Sequence, residues 1–196
     1  MPLADLADTW RKMASAVSGN KSHWRYDLLP RQTSDVCWLK GLRKHMTTLP
    51  FDTQNIRWNK IEGIEHLAYH ILAVDEAKRI VDILFKFDAN AKIVLHRHKA
   101  DYITFVLQGE LRIYRPNGTL KEIRPVGSYV TGSADGEPHT EGGGEQDVIA
   151  FFSNRNVQNV VYEILDESLN TIATFGIAEF KALLDAQVPQ PTTIVS

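Results

Sequence analysis

The sequence predicts an all-β protein whose strands form an antiparallel sandwich or barrel, with helices only towards its two ends. From Ile56 onward, short runs rich in β-branched and aromatic residues recur at intervals of roughly ten residues. Glycine, proline, asparagine and aspartate, which favour turns, lie between the runs. Many short and evenly spaced strands are typical of antiparallel sandwiches and barrels rather than of parallel sheets.

The first 55 residues differ from the rest of the chain. Residues 18–52 show no strand or helix period and are interrupted by Pro30 and Pro50. Residues 3–17 have apolar side chains three or four positions apart, which predicts one amphipathic helix. We therefore expect residues 1–55 to form a helix and an irregular arm packed on the barrel. The apolar face of this helix consists of Leu3, Leu6, Trp10, Met13 and Val17.

Ten strands and a second helix are predicted after the arm. Asn117-Gly118 predicts a type I′ hairpin, and Gln108-Gly109 predicts that the strands on either side of it pair. Ala178 to Ala186 is predicted to be helical. The expected organisation is an N-terminal addition (1–55), a barrel (56–177), and a C-terminal helix and tail (178–196). The predicted strands are 66–74, 79–87, 92–96, 102–107, 110–115, 120–124, 128–132, 146–152, 159–165 and 171–177.

The composition argues against several classes of protein. Lys and Arg number 22 against 24 Asp and Glu, a formal net charge of −2, so the chain lacks the basic excess of a nucleic-acid binder. No apolar run approaches the roughly 20 residues that span a bilayer, and the N-terminus has no apolar signal segment. Cys37 is the only cysteine, which excludes an internal disulfide and a multi-cysteine zinc site. We expect a cytoplasmic protein without a membrane or nucleic-acid partner.

Two histidines lie at the end of the predicted strand 92–96. His96 and His98 form an H-x-H pair, and residues i and i+2 of a strand point to the same face. Two imidazoles about 6–7 Å apart on one face can converge on a single metal ion. His139 follows in the segment Gly-Glu-Pro-His. The alternative interpretation is three unrelated polar histidines near strand ends.

The spacing of these histidines and of nearby glycines resembles the two-part signature of the cupin superfamily, over about residues 60–165. The resemblance implies an antiparallel double-stranded β-helix, or jelly-roll barrel, that pairs into a homodimer. It also implies a divalent metal ion bound by His96, His98 and His139. The matching residues are His96, His98 and Gly109 in the first motif, and Gly127, Gly136 and His139 in the second.

The sequence departs from the signature at three points. Tyr102 occupies the position of the usual motif glutamate, and Ala134 that of the usual proline. The second motif has one additional residue between Gly127 and Ala134. Three neutral imidazoles without a carboxylate would leave a divalent metal with its full charge, which favours an anionic chelating ligand.

Among cupins, the segments HRHKADYITFVLQGELRIY and GSYVTGSADGEPHT look most like the three-histidine dioxygenases. Dihydroxyacetophenone dioxygenase and acetylacetone dioxygenase are examples. This resemblance implies cleavage of a C–C bond in a small diketone or hydroxy-aryl ketone, with Fe(II) as the favoured cofactor. The ligand set by itself leaves zinc, nickel, copper and manganese open.

Two further residues are candidates for catalysis. Tyr102 is expected to face the same cavity and to hydrogen-bond to the substrate; the alternative is a wall residue of the barrel. Glu141 lies two residues past His139, on the same strand face, and is a candidate base or fourth ligand; the alternative is a solvated loop acid. We expect His66 and His70 to be ordinary sheet residues, and Gly142-Gly143-Gly144 to be a flexible turn.

A second function remains open beside the dioxygenase. Some cupins bind a metal or ligand without catalysis, as sensor or regulatory domains, and the general pattern is similar to theirs. A sugar isomerase or epimerase is less favoured, because the motif glutamate is missing and no inward cluster of Lys and Arg is expected. Oxygen uptake with candidate ketones would distinguish the dioxygenase from the sensor.

Overall fold

The computed structural model describes residues 51–187, which contain twelve strands and one helix. The predicted helix 3–17, the arm with Cys37, and the tail beyond residue 187 lie outside the described residues. Among the described residues, no helix is both long enough and apolar enough to cross a membrane. The elements are β1 (Asn59–Lys60), β2 (Leu67–Asp75), β3 (Ile80–Phe87), β4 (His96–His98), β5 (Asp101–Gln108), β6 (Glu110–Tyr114), β7 (Leu120–Pro125), β8 (Tyr129–Gly132), β9 (Thr140–Gly143), β10 (Val148–Arg155), β11 (Val160–Leu165), β12 (Thr171–Gly176) and α1 (Ile177–Ala186).

The strands form one large and two small antiparallel sheets. The large sheet has six strands in the order β1-β2-β3-β10-β5-β8. The small sheets have the orders β12-β11-β4 and β7-β6-β9. Non-consecutive neighbours such as β3 and β10 show that the chain crosses repeatedly between sheets. This is the antiparallel double-stranded β-helix that the resemblance implies.

A short seam joins the two small sheets into one wall. His96 and His139 form an isolated antiparallel bridge, and Lys92 and Gly142 form a second one. The His96 N–H donates to the His139 carbonyl at 3.0 Å, and the His139 N–H donates to the His96 carbonyl at 2.9 Å. The hydrophobic core lies between this wall and the six-stranded sheet, with buried residues from both.

Aromatic side chains connect the large sheet to the seam. Phe85 on β3 meets Phe152 on β10 edge to face, with ring centroids 5.3 Å apart. Phe85 also lies 6.4 Å from Tyr162, and Tyr162 is the register partner of His98 across β11 and β4. Burial of each such ring stabilises the fold by about 1.5–3 kcal/mol. The core therefore holds β4 and its histidines in a fixed position.

The interpretation of Gly142-Gly143-Gly144 as a flexible turn is wrong for the first two glycines. Gly142 and Gly143 belong to β9, and both are buried. A Cβ atom on Gly142 would lie 1.9 Å from the Ala91 carbonyl oxygen, and one on Gly143 would lie 2.7 Å from the Asp88 carbonyl oxygen. Glycine is required because another backbone segment passes directly over the strand.

The expected pairing across Gln108-Gly109 is also wrong. β5 pairs with β10 and β8, whereas β6 pairs with β7 and β9. Gly109 has a φ of 71°, in the left-handed region, and leads the chain from the large sheet into a small one.

The hairpin between β6 and β7 forms as predicted, but its turn is not type I′. Gly118 has a φ of 81°, whereas Asn117 has no positive φ, and a type I′ turn needs both. The Gly118 N–H donates to the Arg115 carbonyl at 2.8 Å. Pro116 fixes its own φ near −65°, which favours a type I turn followed by a left-handed glycine.

β1 and β9 are not among the ten predicted strands, and most of the other boundaries differ from the prediction by one to three residues. The predicted strand 92–96 shares only His96 with β4, because Lys92 pairs through an isolated bridge. The C-terminal helix begins at Ile177, one residue before the predicted start.

The C-terminal helix is fixed to the barrel at both ends. At its start, the Glu179 carboxylate accepts a hydrogen bond from the Gly176 N–H at 2.8 Å, and Phe180 is buried. Past its end, the Gln187 side chain accepts from the Ile71 N–H and donates to the Ile71 carbonyl, both at 2.9 Å. The side-chain amide thus occupies the position of a neighbouring strand's peptide group.

We predict that Gly142→Ala lowers the free energy of unfolding by about 3 kcal/mol, because the new methyl group cannot coexist with the Ala91 carbonyl. Gly136→Ala is the control, since its Cβ would meet only the Ser133 carbonyl at 3.7 Å, and it should change the unfolding free energy little. Urea unfolding followed by circular dichroism measures both. Equal stability of the two variants would contradict the packing of β9.

Candidate metal centre

Three histidines and one glutamate form a buried cluster. His96 and His98 are on β4, His139 directly precedes β9, and Glu141 is on β9. Each residue is 7% exposed or less. One potential ligand atom from each lies within 4.8 Å of the others. The structure therefore brings together the three predicted metal ligands and the candidate Glu141.

The backbone places these side chains on one face. His96 and His98 are two residues apart in a strand, as are His139 and Glu141, so each pair shares a face. The two hydrogen bonds between His96 and His139 place these two residues directly opposite each other, and the antiparallel direction puts His98 and Glu141 on either side of them. The four side chains therefore converge because of strand register.

Backbone hydrogen bonds define the tautomers of two histidines. His96 Nδ1 lies 3.1 Å from the Val94 carbonyl oxygen, and His139 Nδ1 lies 3.0 Å from that of Glu137. Because a carbonyl only accepts, each Nδ1 carries the hydrogen and each Nε2 presents its lone pair to the cluster. Metal-binding histidines are oriented in this way.

The cluster consists of converging acceptors, which fits a cation. The Nε2 atoms of His96 and His139 each lie 3.7 Å from a carboxylate oxygen of Glu141. Both ring nitrogens of His98 are buried without a hydrogen-bond partner. Buried polar atoms normally have a partner, and a metal ion shared by the four residues would supply one for a single ring nitrogen of His98.

The environment in the absence of metal shifts the pKa values in different directions. Burial lowers the pKa of His96 to about 4 and also lowers that of His98. Burial acts to lower the pKa of His139 as well, but the nearby negative charge of Glu141 outweighs it and raises that pKa. Burial acts to raise the pKa of Glu141, yet the surrounding histidines lower it to about 2. Glu141 is therefore ionised, and His139 is the residue that competes for a proton.

Glu141 is buried in the cluster, so its alternative interpretation as a solvated loop acid is wrong. The expectation that His66 is an ordinary sheet residue is wrong, because β2 begins at Leu67. It precedes β2 with a φ of 63°, and its Nδ1 lies 3.2 Å from Asp88. His70 is on β2, as expected, and its Nδ1 lies 3.2 Å from the Arg57 carbonyl oxygen.

Tyr102 lies beside the cluster. The centroid of its ring is 4.0 Å from that of His98. A Cβ atom on Gly132, its register partner on β8, would lie 2.2 Å from the tyrosine ring, so the ring rests on a glycine. Burial and the charge of Glu141 raise the pKa of Tyr102, which keeps its hydroxyl protonated.

A polar cavity of about 200 Å³ borders the cluster on the side of His98 and His139. Its volume suits one small organic molecule. It is lined by His98, Tyr102, Ile113, Lys121, Glu122, Arg124, Ser133, Ala134, Gly136, Glu137 and His139.

Two cations line this cavity, although no inward cluster of Lys and Arg is expected near the motifs, and of the two Lys121 is exposed. Arg124 is buried and donates two hydrogen bonds to Glu122, both at 2.9 Å. Lys121 donates to Glu137 at 2.8 Å. Because residues i and i+2 of a strand share a face, the segment LKEIR predicts that Glu122 and Arg124 lie side by side. The segment does not indicate that this face is turned towards a cavity.

No protein-family model and no curated protein matches the sequence. Several solved structures that are similar to this chain have the cupin fold. An RmlC-like cupin protein from Ralstonia eutropha JMP134 has a TM-score of 0.52 and 19% identity, over 66% of this chain and 81% of that one. A second protein from the same strain, of unknown function and cupin-like fold, has a TM-score of 0.51 and 13% identity, over 66% and 85%. Acetylacetone dioxygenase from Acinetobacter johnsonii has a TM-score of 0.50 and 14% identity, over 82% and 99%.

We predict that His98→Ala and His139→Ala each abolish stoichiometric binding of a divalent metal, because each removes one of few ligands. His70→Ala is the matched control, since His70 is equally buried but lies outside the cluster. Metal content after dialysis, measured by mass spectrometry, tests this. Unchanged metal content in the two cluster variants would contradict the site.

Metal affinity should fall as the pH is lowered through the raised pKa of His139. Only the neutral imidazole binds a metal, so a proton competes for its Nε2 atom, and the competition grows at lower pH. Calorimetric titration with zinc in buffers of different ionisation enthalpy measures both the affinity and the proton release. An affinity that does not change between neutral and mildly acidic pH would contradict this prediction.

Proposed function

We propose that this protein is a metal-dependent dioxygenase that cleaves a C–C bond in a small diketone or hydroxy-aryl ketone. The observation that carries the proposal is the buried cluster of four converging acceptors beside a cavity of about 200 Å³. The shared fold with the acetylacetone dioxygenase of A. johnsonii supports the substrate class.

His96, His98 and His139 would hold the metal, for which Fe(II) is the favoured identity. When bound, the ion supplies Lewis-acid and one-electron chemistry to the site. Glu141 is better suited to be a fourth ligand than a base, because a carboxylate with a pKa of about 2 accepts protons weakly.

The charges of the site favour a substrate with a single negative charge. Glu141 reduces the charge of a divalent centre from two to one. The Lys121–Glu137 and Arg124–Glu122 pairs in the cavity are each neutral overall. An enolised diketone or a hydroxy-aryl ketone ionised at its phenol would neutralise the remaining charge, whereas a dianion would exceed it.

Tyr102 would orient the substrate within the polar cavity. Its hydroxyl stays protonated because its pKa is raised, so it can donate a hydrogen bond to a substrate oxygen. Gly132 leaves the space in which the ring lies beside His98. A single hydrogen bond of this kind in a buried site contributes about 1–3 kcal/mol.

We predict oxygen uptake by the protein when it is loaded anaerobically with Fe(II) and mixed with a panel of β-diketones and hydroxyacetophenones. Tyr102→Phe should lower kcat/KM by about 10- to 100-fold with unchanged iron content, because it removes the donor only. Tyr129→Phe is the control, since that side chain is exposed on β8. An oxygen electrode measures the rates.

The absence of uptake with every compound, together with tight zinc binding, would overturn the dioxygenase proposal. That result would instead favour a non-catalytic cupin that binds a metal or ligand as a sensor. If uptake occurs but Tyr102→Phe has the rate of the unmodified protein, the role of Tyr102 fails while the activity stands.

A further inference from the structure

A second and smaller cavity reaches the cluster from another side. It has a volume of about 40 Å³ and meets His96 and Glu141. The rest of its wall is almost entirely apolar and comes from several strands and α1. Among the residues that line it are Phe85, Phe87, Ile93, Val94, Ile164 and Phe175.

The two cavities have no lining residue in common. The polar cavity meets the cluster at His98 and His139, whereas the apolar cavity meets it at His96 and Glu141. The four residues of the candidate metal centre therefore separate two spaces of opposite character. Each space can hold its own molecule next to the centre.

The apolar cavity offers little to water. A buried water molecule needs two to four polar partners, and an apolar cavity without them stays dry and can bind xenon. The Nδ1 of His96 is already bound to the Val94 carbonyl, and the Tyr162 hydroxyl donates to Asn154 at 3.3 Å. The remaining polar groups are those that face the metal position.

The volume of this cavity selects small molecules. About 40 Å³ exceeds the roughly 10–15 Å³ that one water requires, but it is far below the volume of a typical pocket for an organic ligand. A ketone substrate fits the polar cavity and not this one. A diatomic, uncharged and apolar molecule matches both the size and the lining.

We infer that the apolar cavity is a binding site for dioxygen. Dioxygen binds there beside His96 and Glu141 while the organic substrate occupies the polar cavity. This inference rests on the proposed dioxygenase function and adds a separate site for the second substrate. Most of the cavity wall belongs to the hydrophobic core.

Xenon tests the site without any turnover. Crystals of the full-length, metal-loaded protein under xenon pressure should show a xenon atom between His96 and Phe175, and the Ile164→Phe variant should lose it because the larger ring fills the space. Absence of xenon from this cavity in the unmodified protein would overturn the inference, whatever the activity.

Kinetics supply the second test, through one substitution made on each side of the centre. Ile164→Phe should raise the KM for dioxygen several-fold and leave the KM for the ketone unchanged. Ile113→Phe, in the polar cavity, should do the reverse. Ile93→Phe replaces Ile164→Phe if the latter does not fold, because Ile93 is only partly buried.

The results separate this inference from the proposed function. If both substitutions change the same KM, the apolar cavity is not the dioxygen site although the enzyme is a dioxygenase. If no ketone supports oxygen uptake, the proposed function fails. Xenon occupancy then shows only that the cavity binds small apolar molecules, and the assignment to dioxygen is overturned.

Discussion

The paired backbone of His96 and His139 is the contact on which the rest of this structure depends. Its two hydrogen bonds join the small sheets into one wall and bring four acceptor side chains together in the interior. Converging lone pairs and a carboxylate repel each other in a low dielectric, so the surrounding core must hold them in place. The fold thus places an unfavourable electrostatic arrangement at the join between its two small sheets.

The sequence allowed the prediction of the fold class and of the pair His96 and His98, because strand periodicity and the H-x-H spacing are local patterns. The resemblance to the two-part cupin signature implied His139. Glu141 was ambiguous, because its burial depends on the register between β9 and β4, which no local pattern reveals. The glycines of β9 were misread for the same reason, since Ala91 and Asp88 approach them from elsewhere in the chain. No local pattern indicates the burial of Arg124 on β7, because the approach of this strand to the cavity depends on contacts with distant parts of the chain.

The cluster contains a carboxylate although the usual motif position holds Tyr102. Glu141 brings that charge from β9, a different strand, while Tyr102 keeps a protonated hydroxyl near His98. Tyr102 therefore provides a hydrogen-bond donor at the position of the motif glutamate, and Glu141 supplies the negative charge from another strand. The site gains a donor that faces the polar cavity without losing the negative group beside the histidines.

The hydrogen bonds from Gln187 to Ile71 have a consequence for the behaviour of the protein at high concentration. Within the part of the chain that the structure describes, β1 pairs with β2 only at Tyr69 and Ala68, and no strand pairs with Ile71 on that side of β2. The Gln187 amide closes that position with both of its polar atoms. Unpaired strand edges are where proteins add foreign strands and aggregate. A glutamine just after a helix thus protects a sheet edge against intermolecular strand addition.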